Sequence, residues 1–196
     1  VLADLRQHGT DDARRLPGEA LVLLEFDDPG CSHTGFLEPL LQALGPLAAD
    51  AQVATTGAQR EALWAVRRMT SVHLKQRFPK KVSEDVVVPR DRLPEFFARL
   101  ATLDAKTVSY GHLGDGNLHV NLLQAGELDG AALDAALDPL FALCIELGGT
   151  LSGEHGIGLA KRDAFLKHGD PFAIAALRGI KQALDPKGVF NAGKVF

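Results

Sequence analysis

The stretch Tyr110-Gly-His112-Leu-Gly-Asp115-Gly116-Asn117-Leu-His119-Val-Asn121 decides how this chain is read. Asp115-Gly116 is a two-residue hairpin signal, because both central positions of a type I′ turn take positive φ and this dipeptide tolerates it. Centred there, the turn sets Gly114 opposite Asn117, Leu113 opposite Leu118 and His112 opposite His119. Directly opposed residues point to the same side of a sheet, with Cβ atoms about 4.5–5.5 Å apart. Two imidazoles at that spacing can grip one metal ion. Alternation puts Tyr110, His112, Asn117, His119 and Asn121 on one face, and Leu113, Leu118, Val120 and Leu122 on the other. The second face predicts core; the first predicts a chemical site.

The rest of the chain can support such a sheet. Its 196 residues allow one sizeable domain or two small ones, and 46% hydrophobic content supplies a core. A net charge of −4 without a basic cluster argues against binding nucleic acid through its phosphates. No apolar run reaches the roughly 18–20 residues of a membrane span, and no signal peptide is visible. Cys31 and Cys144 are too few and too far apart for a disulfide framework or a zinc ribbon, so a reducing cytoplasm is the expected compartment. The first residue is Val1, which suggests a processed product or a piece of a longer protein.

Residues 1–8 predict a short helix leading into a polar linker that ends at Gly18, with the main domain over 19–196. Glu19–Phe26 and Ala51–Thr55 predict strands, as does Val86-Val87-Val88 before Pro89. Helices are expected from Thr34 to about Leu44, from Thr56 to about Arg77, from Leu93 to Leu103 and from Leu128 to Leu147, where Pro139 is a possible kink. A further helix opens at Asp170-Pro171 and runs to about Leu184. Mixed helices and strands with an antiparallel hairpin predict an α+β fold with helices on one face of the sheet. The glycine-rich dinucleotide fingerprint and the P-loop are absent.

Three further groups carry chemistry. Ser152-Gly153-Glu154-His155-Gly156 sits among closely spaced glycines that permit tight backbone approach and forbid the helical H-E-x-x-H arrangement. A carboxylate with two imidazoles is an ordinary three-ligand set for zinc or a similar divalent ion. His112, His119 and Glu154 are therefore the candidate ligands. His155 is then a spare imidazole suited to general base work. Arg67 and Ser71 are i and i+4 on a predicted helix, a pairing that can clamp a carboxylate. Ser83-Glu84-Asp85, at the entrance to a strand, reads as solvated or capping residues.

Together these residues resemble the C-terminal domain of FAD-linked 2-hydroxy-acid dehydrogenases, the family of glycolate oxidase catalytic subunits, D-lactate dehydrogenases and D-2-hydroxyglutarate dehydrogenases. The pieces that match are Leu63-Trp64…Arg67, Asp85…Val88-Pro89, Gly111–His119, Ser152–Gly158 and Asp185-Pro-Lys-Gly-Val-Phe-Asn191, in that order. The resemblance implies a ferredoxin-like α+β substrate domain set against a separate FAD-binding domain. It implies metal ligands at His112, His119 and Glu154, a base at His155, and Arg67, Ser71 and Asn121 as substrate contacts. Asn117 and Asn191 would face the cofactor. The metal's identity is open: two imidazoles and a carboxylate accept zinc, and iron, manganese or cobalt would also fit. A lysine used by the hydroxyglutarate branch would fall at Ser83, where this chain has none; Lys80 or Lys81 is the nearest substitute.

The activity implied is oxidation of a small D-2-hydroxy acid (glycolate, D-lactate or similar) to the 2-oxo acid. Electrons would pass to an acceptor the sequence does not identify. The protein would be cytoplasmic or peripheral to a membrane. The FAD-binding domain is missing from these 196 residues, so the chain is expected to be a fragment that lacks turnover alone. Two rivals use the same residues: a free-standing metallohydrolase, and a non-catalytic module that binds metal or carboxylate.

Overall fold

The computed structural model describes residues 20–26 and 33–196. The chain divides into two compact units, one ending at Arg77 and one beginning at Phe78. The first unit contains α1 (His33–Leu44) and α2 (Gly57–Arg77). A capping box starts α2: Thr56 Oγ1 accepts the Gln59 N–H at 3.3 Å, and Gln59 Oε1 accepts the Thr56 N–H at 3.1 Å. One stripe of α2 is buried, at Val66, Thr70, His73 and Leu74. Glu25 ties the 20–26 segment to this helix by accepting from Arg60 at 3.0 Å and from the Trp64 indole at 2.7 Å.

Two expected strands do not form in this unit. Neither 20–26 nor 51–55 has a ladder partner among the described residues, and Leu21, Val22, Leu24 and Phe26 are exposed. An apolar run of strand length needs a neighbour to pair with, and periodicity alone does not supply one. The expected helix over 1–8 lies outside the described residues.

The second unit runs β1 (Val82–Val87), α3 (Leu93–Leu100), β2 (Thr107–His112), β3 (Asn117–Leu122), α4 (Gly130–Glu146), α5 (Arg162–His168) and α6 (Pro171–Leu184). The strands form an antiparallel sheet in the order β1-β3-β2. This is the α+β architecture, and βαββα with that order is the first five elements of a ferredoxin-like fold. Where the fourth strand would lie, beside β1, there is a single antiparallel bridge between Val87 and Thr150. Helix α4 delivers Thr150 there through a Schellman turn: Gly148 adopts φ +78°, and the Gly148 and Gly149 N–H groups bond to the carbonyls of Ile145 and Cys144. Beyond the bridge the chain leaves the sheet edge as the glycine-rich 152–158 loop. Proline 139 is accommodated inside α4 without ending it, and α5 is an element the sequence reading missed.

The central hairpin differs from its expected register. His112 pairs with Asn117 and Tyr110 with His119, so the loop holds four residues, 113–116, instead of two. Only Gly116 takes positive φ, at +76°; Asp115 does not. Its carboxylate instead accepts the Asn117 N–H at 2.9 Å, the local bond that makes Asp a turn residue. The Gly116 carbonyl accepts the Val88 N–H, and a Cβ on Gly116 would lie 2.0 Å from Val88 O. Leu113 consequently sits in the exposed loop and not on the core face. The pairing has slipped by two residues, so every side chain that stays in the strands keeps its expected face.

One face of the sheet is covered. Val86, Leu118, Val120 and Leu122 meet Leu93, Phe96 and Leu100 of α3 and Leu137, Leu140, Phe141 and Cys144 of α4. Burial raises the Cys144 thiol pKa to about 12, so it behaves as a small apolar group. Phe96 is fully buried while its neighbour Phe97 is 39% exposed. Phe96→Ala should therefore cost about 3–5 kcal/mol, and Phe97→Ala well under half of that, as read from urea unfolding midpoints. After α6 the buried Asp185 carboxylate holds the turn, accepting from Lys181 and from the Val189 and Phe190 N–H groups. The tail then returns to the 152–158 loop, where the Val195 N–H bonds to Gly158 O at 3.1 Å.

Candidate active site on the polar face of the sheet

The other face of the second unit's sheet carries Asp85 on β1, Asn117, His119 and Asn121 on β3, and Tyr110 and His112 on β2. His119 is at its centre, paired with Asp85 on one side and Tyr110 on the other. It is 9% exposed, and its ring lies 5.1 Å from that of Tyr110.

The 152–158 loop brings two more ligand groups over this histidine. His119 Nε2 is 3.3 Å from Glu154 Oε1, and His155 Nε2 is 3.7 Å from the same oxygen. The two imidazoles are stacked, with centroids 5.5 Å apart. Ligand atoms of His119, Glu154 and His155 all lie within 4.8 Å of one another, the one such trio among the described residues. Donors about 2.1 Å from a shared tetrahedral ion sit about 3.4 Å apart. The donor set and its spacing thus fit a divalent cation.

His112 is on the same face but is not in the trio. The register sets it opposite Asn117 and diagonal to His119, and it is exposed. Asn117 is 6% exposed, and its Oδ1 has no hydrogen-bond partner. Gly153 lies directly against that amide; a Cβ there would come within 2.6 Å of Oδ1. Asn121 is fully buried, its Nδ2 donating to the Val108 and His119 carbonyls and its Oδ1 accepting from Lys81 at 2.7 Å. Lys81 thus reaches the polar face next to Ser83, where the sequence lacks a lysine; Lys80 instead pairs with Glu127 at the surface. In the first unit, Arg67 and Ser71 stand one turn apart on α2, the arginine half-buried and the serine exposed. Asn191 is in the exposed tail with φ +48°.

Asp85 is the residue most misjudged from the sequence. It is not a solvated acid at a strand entrance: it is fully buried, and its Oδ2 accepts the N–H groups of Gly153, Glu154 and His155 at 3.0, 2.6 and 3.0 Å. Burial opposes its charge, but the Glu154 N–H, the Lys161 ammonium and the His155 N–H outweigh that and hold the carboxyl well below its ordinary pKa. Its neighbour Glu84 is shifted the other way, because burial outweighs the attraction of Lys161. His155 Nδ1 lies 3.7 Å from Asp85 Oδ1. The placement of Glu84-Asp85 directly ahead of Val86-Val87-Val88 was the available signal that these acids share a buried strand.

Comparison with known proteins identifies the family to which this fold and site belong. Residues 2–195 match the family of FAD linked oxidases, C-terminal domain, and the chain belongs to that family. It is 34% identical over 156 residues to a D-lactate dehydrogenase of Anaerostipes hadrus, covering 76% of this chain and 33% of that protein. It is 34% identical over 185 residues to the mitochondrial D-2-hydroxyglutarate dehydrogenase of Bos taurus, covering 89% of this chain and 33% of the relative. A glycolate oxidase subunit of Bacillus subtilis is 32% identical over 157 residues, covering 76% and 33%. The chain spans a third or less of the length of these curated relatives. No helix among the described residues is long and apolar enough to cross a membrane.

Proposed function

We propose that this chain is the substrate-side part of a flavoprotein that oxidises a small D-2-hydroxy acid to the 2-oxo acid, with a divalent cation in the substrate site. The observation that carries the reading is the convergence of His119, Glu154 and His155 over the polar face of the sheet. Family membership supplies the flavin, and relatives named for D-lactate, D-2-hydroxyglutarate and glycolate supply the substrate class.

His119 and Glu154 would hold the cation, with His112 as the third ligand from the same face and His155 left as base. This assignment uses His155's own geometry: its Nδ1 faces the buried Asp85 carboxylate, the arrangement that orients an imidazole for proton transfer at its other nitrogen. When bound, the cation supplies Lewis-acid polarisation of the substrate's hydroxyl and carboxylate, and the flavin supplies the two-electron acceptor for the hydrogen on C2. His155 Nε2 takes the hydroxyl proton. Arg67 and Ser71, one turn apart on α2, are the residues that would take the substrate carboxylate. Asn121 and Lys81, bonded to each other, form a polar wall for the rest of the substrate. Asn117 Oδ1 fits a ligand donor, since a buried acceptor left unpaired costs about 1–3 kcal/mol. Asn191 would lie at the cofactor side.

The test is anaerobic mixing of the full-length flavoprotein with glycolate and with the D- and L-forms of lactate. Bleaching of the flavin by glycolate or D-lactate, with L-lactate inert and the 2-oxo acid as product, is the expected result. A flavin that stays oxidised with every 2-hydroxy acid tried would refute the proposal.

A further inference from the structure

The 152–156 loop has too many glycines to hold Glu154 and His155 in place by itself, since glycine loses the most backbone freedom on ordering. Something must fix it, and the contacts show what does. Three successive N–H groups of the loop converge on one oxygen of Asp85, forming an anion-binding nest filled by a carboxylate of the chain's own neighbouring strand. Ser152 closes the ring: its hydroxyl donates to Asp85 Oδ1 at 3.2 Å and accepts the Gly156 N–H at 2.7 Å. Beneath lies Lys161, 5% exposed. Its ammonium donates at 2.8 Å to Asp85 Oδ1, to the Asp85 carbonyl and to the Leu151 carbonyl, and lies 3.2 Å from Glu84 Oε2. Lysine 161 thus clamps the strand and the start of the loop together from beyond the loop's far end.

A buried ion pair is a weak device for stability, because desolvating the two charges offsets their attraction, and a well-packed apolar pair often does as well. Its directional hydrogen bonds are what an apolar pair cannot copy. We propose that Asp85 and Lys161 are positioning residues for the cation site, acting through the backbone of residues 152–156 to hold Glu154 and His155 over His119. The inference rests on the reading of that trio as a metal site.

The test compares metal affinity and stability in the full-length flavoprotein, using Co(II) and Zn(II) as probes with a competing chelator. Asp85→Asn alone should destabilise, because it removes the carboxylate that takes three loop N–H groups and leaves the buried Lys161 ammonium with Glu84 alone. The double variant Asp85→Asn/Lys161→Met removes the pair, leaves Glu84 as the one charged partner of the three, and should recover part of the thermal stability. It should nevertheless bind Co(II) about 10–100-fold more weakly than the parent and give an altered Co(II) absorption spectrum. Ser152→Ala, at a half-buried position, should fold normally and weaken binding about tenfold. This variant decides the matter if the double variant does not fold. Parent-like affinity and spectrum in a folded double variant, or in Ser152→Ala, would overturn the positioning role while leaving the metal site intact. A parent protein that binds neither ion would instead overturn the site itself, and the inference with it.

Discussion

Replacing His155 with alanine in the full-length flavoprotein should lower the rate of flavin reduction by about 10²–10⁴-fold, the usual contribution of a positioned general base. The cation should stay bound. His155 has an exposed ring, one nitrogen towards Asp85 and the other towards the space above His119, so its loss removes a proton acceptor without opening the fold. If instead the cation is lost along with activity, His155 is a ligand, as its place within 4.8 Å of His119 and Glu154 would allow.

The second large effect is expected at His119. This ring is nearly buried at the centre of the sheet, packed on Tyr110 and stacked with His155, with Nε2 aimed at Glu154. His119→Ala should abolish stoichiometric metal binding, and flavin reduction should fall by at least about 10³-fold, because both the Lewis acid and the substrate's anchor go with it. His112→Ala should lose metal as well. Retention of full metal affinity in His112→Ala would show that His155 takes the third ligand position.

The face assignment of the hairpin was legible because side-chain alternation has a period of two, so a two-residue error in register leaves His112, His119, Asn117 and Asn121 on one side. The register itself was not, because it depended on whether Asp115 would adopt positive φ or bond its side chain to the Asn117 N–H, and the dipeptide permits both. The helices with clear caps were legible: Thr56 and Gln59 start α2, and Asp170 accepts the Phe172 N–H ahead of Pro171 in α6. The 20–26 and 51–55 runs misled because strand formation needs a partner elsewhere in the chain. Lys161 gave no signal at all. It meets Asp85 across 76 residues of sequence, and nothing local marks a lysine that will be buried. The family resemblance is borne out by the match over residues 2–195, yet the carboxylate that organises the loop emerged from the contacts.

The claim at the centre of this account is that His119 and Glu154 hold a divalent cation and His155 does not. Elemental analysis of the full-length flavoprotein, purified without chelator, tests it most directly when wild type, His119→Ala and His155→Ala are measured together. About one divalent ion per chain is expected in wild type and in His155→Ala, and almost none in His119→Ala. A wild-type protein that holds no divalent ion, or a His155→Ala protein as empty as His119→Ala, would contradict it.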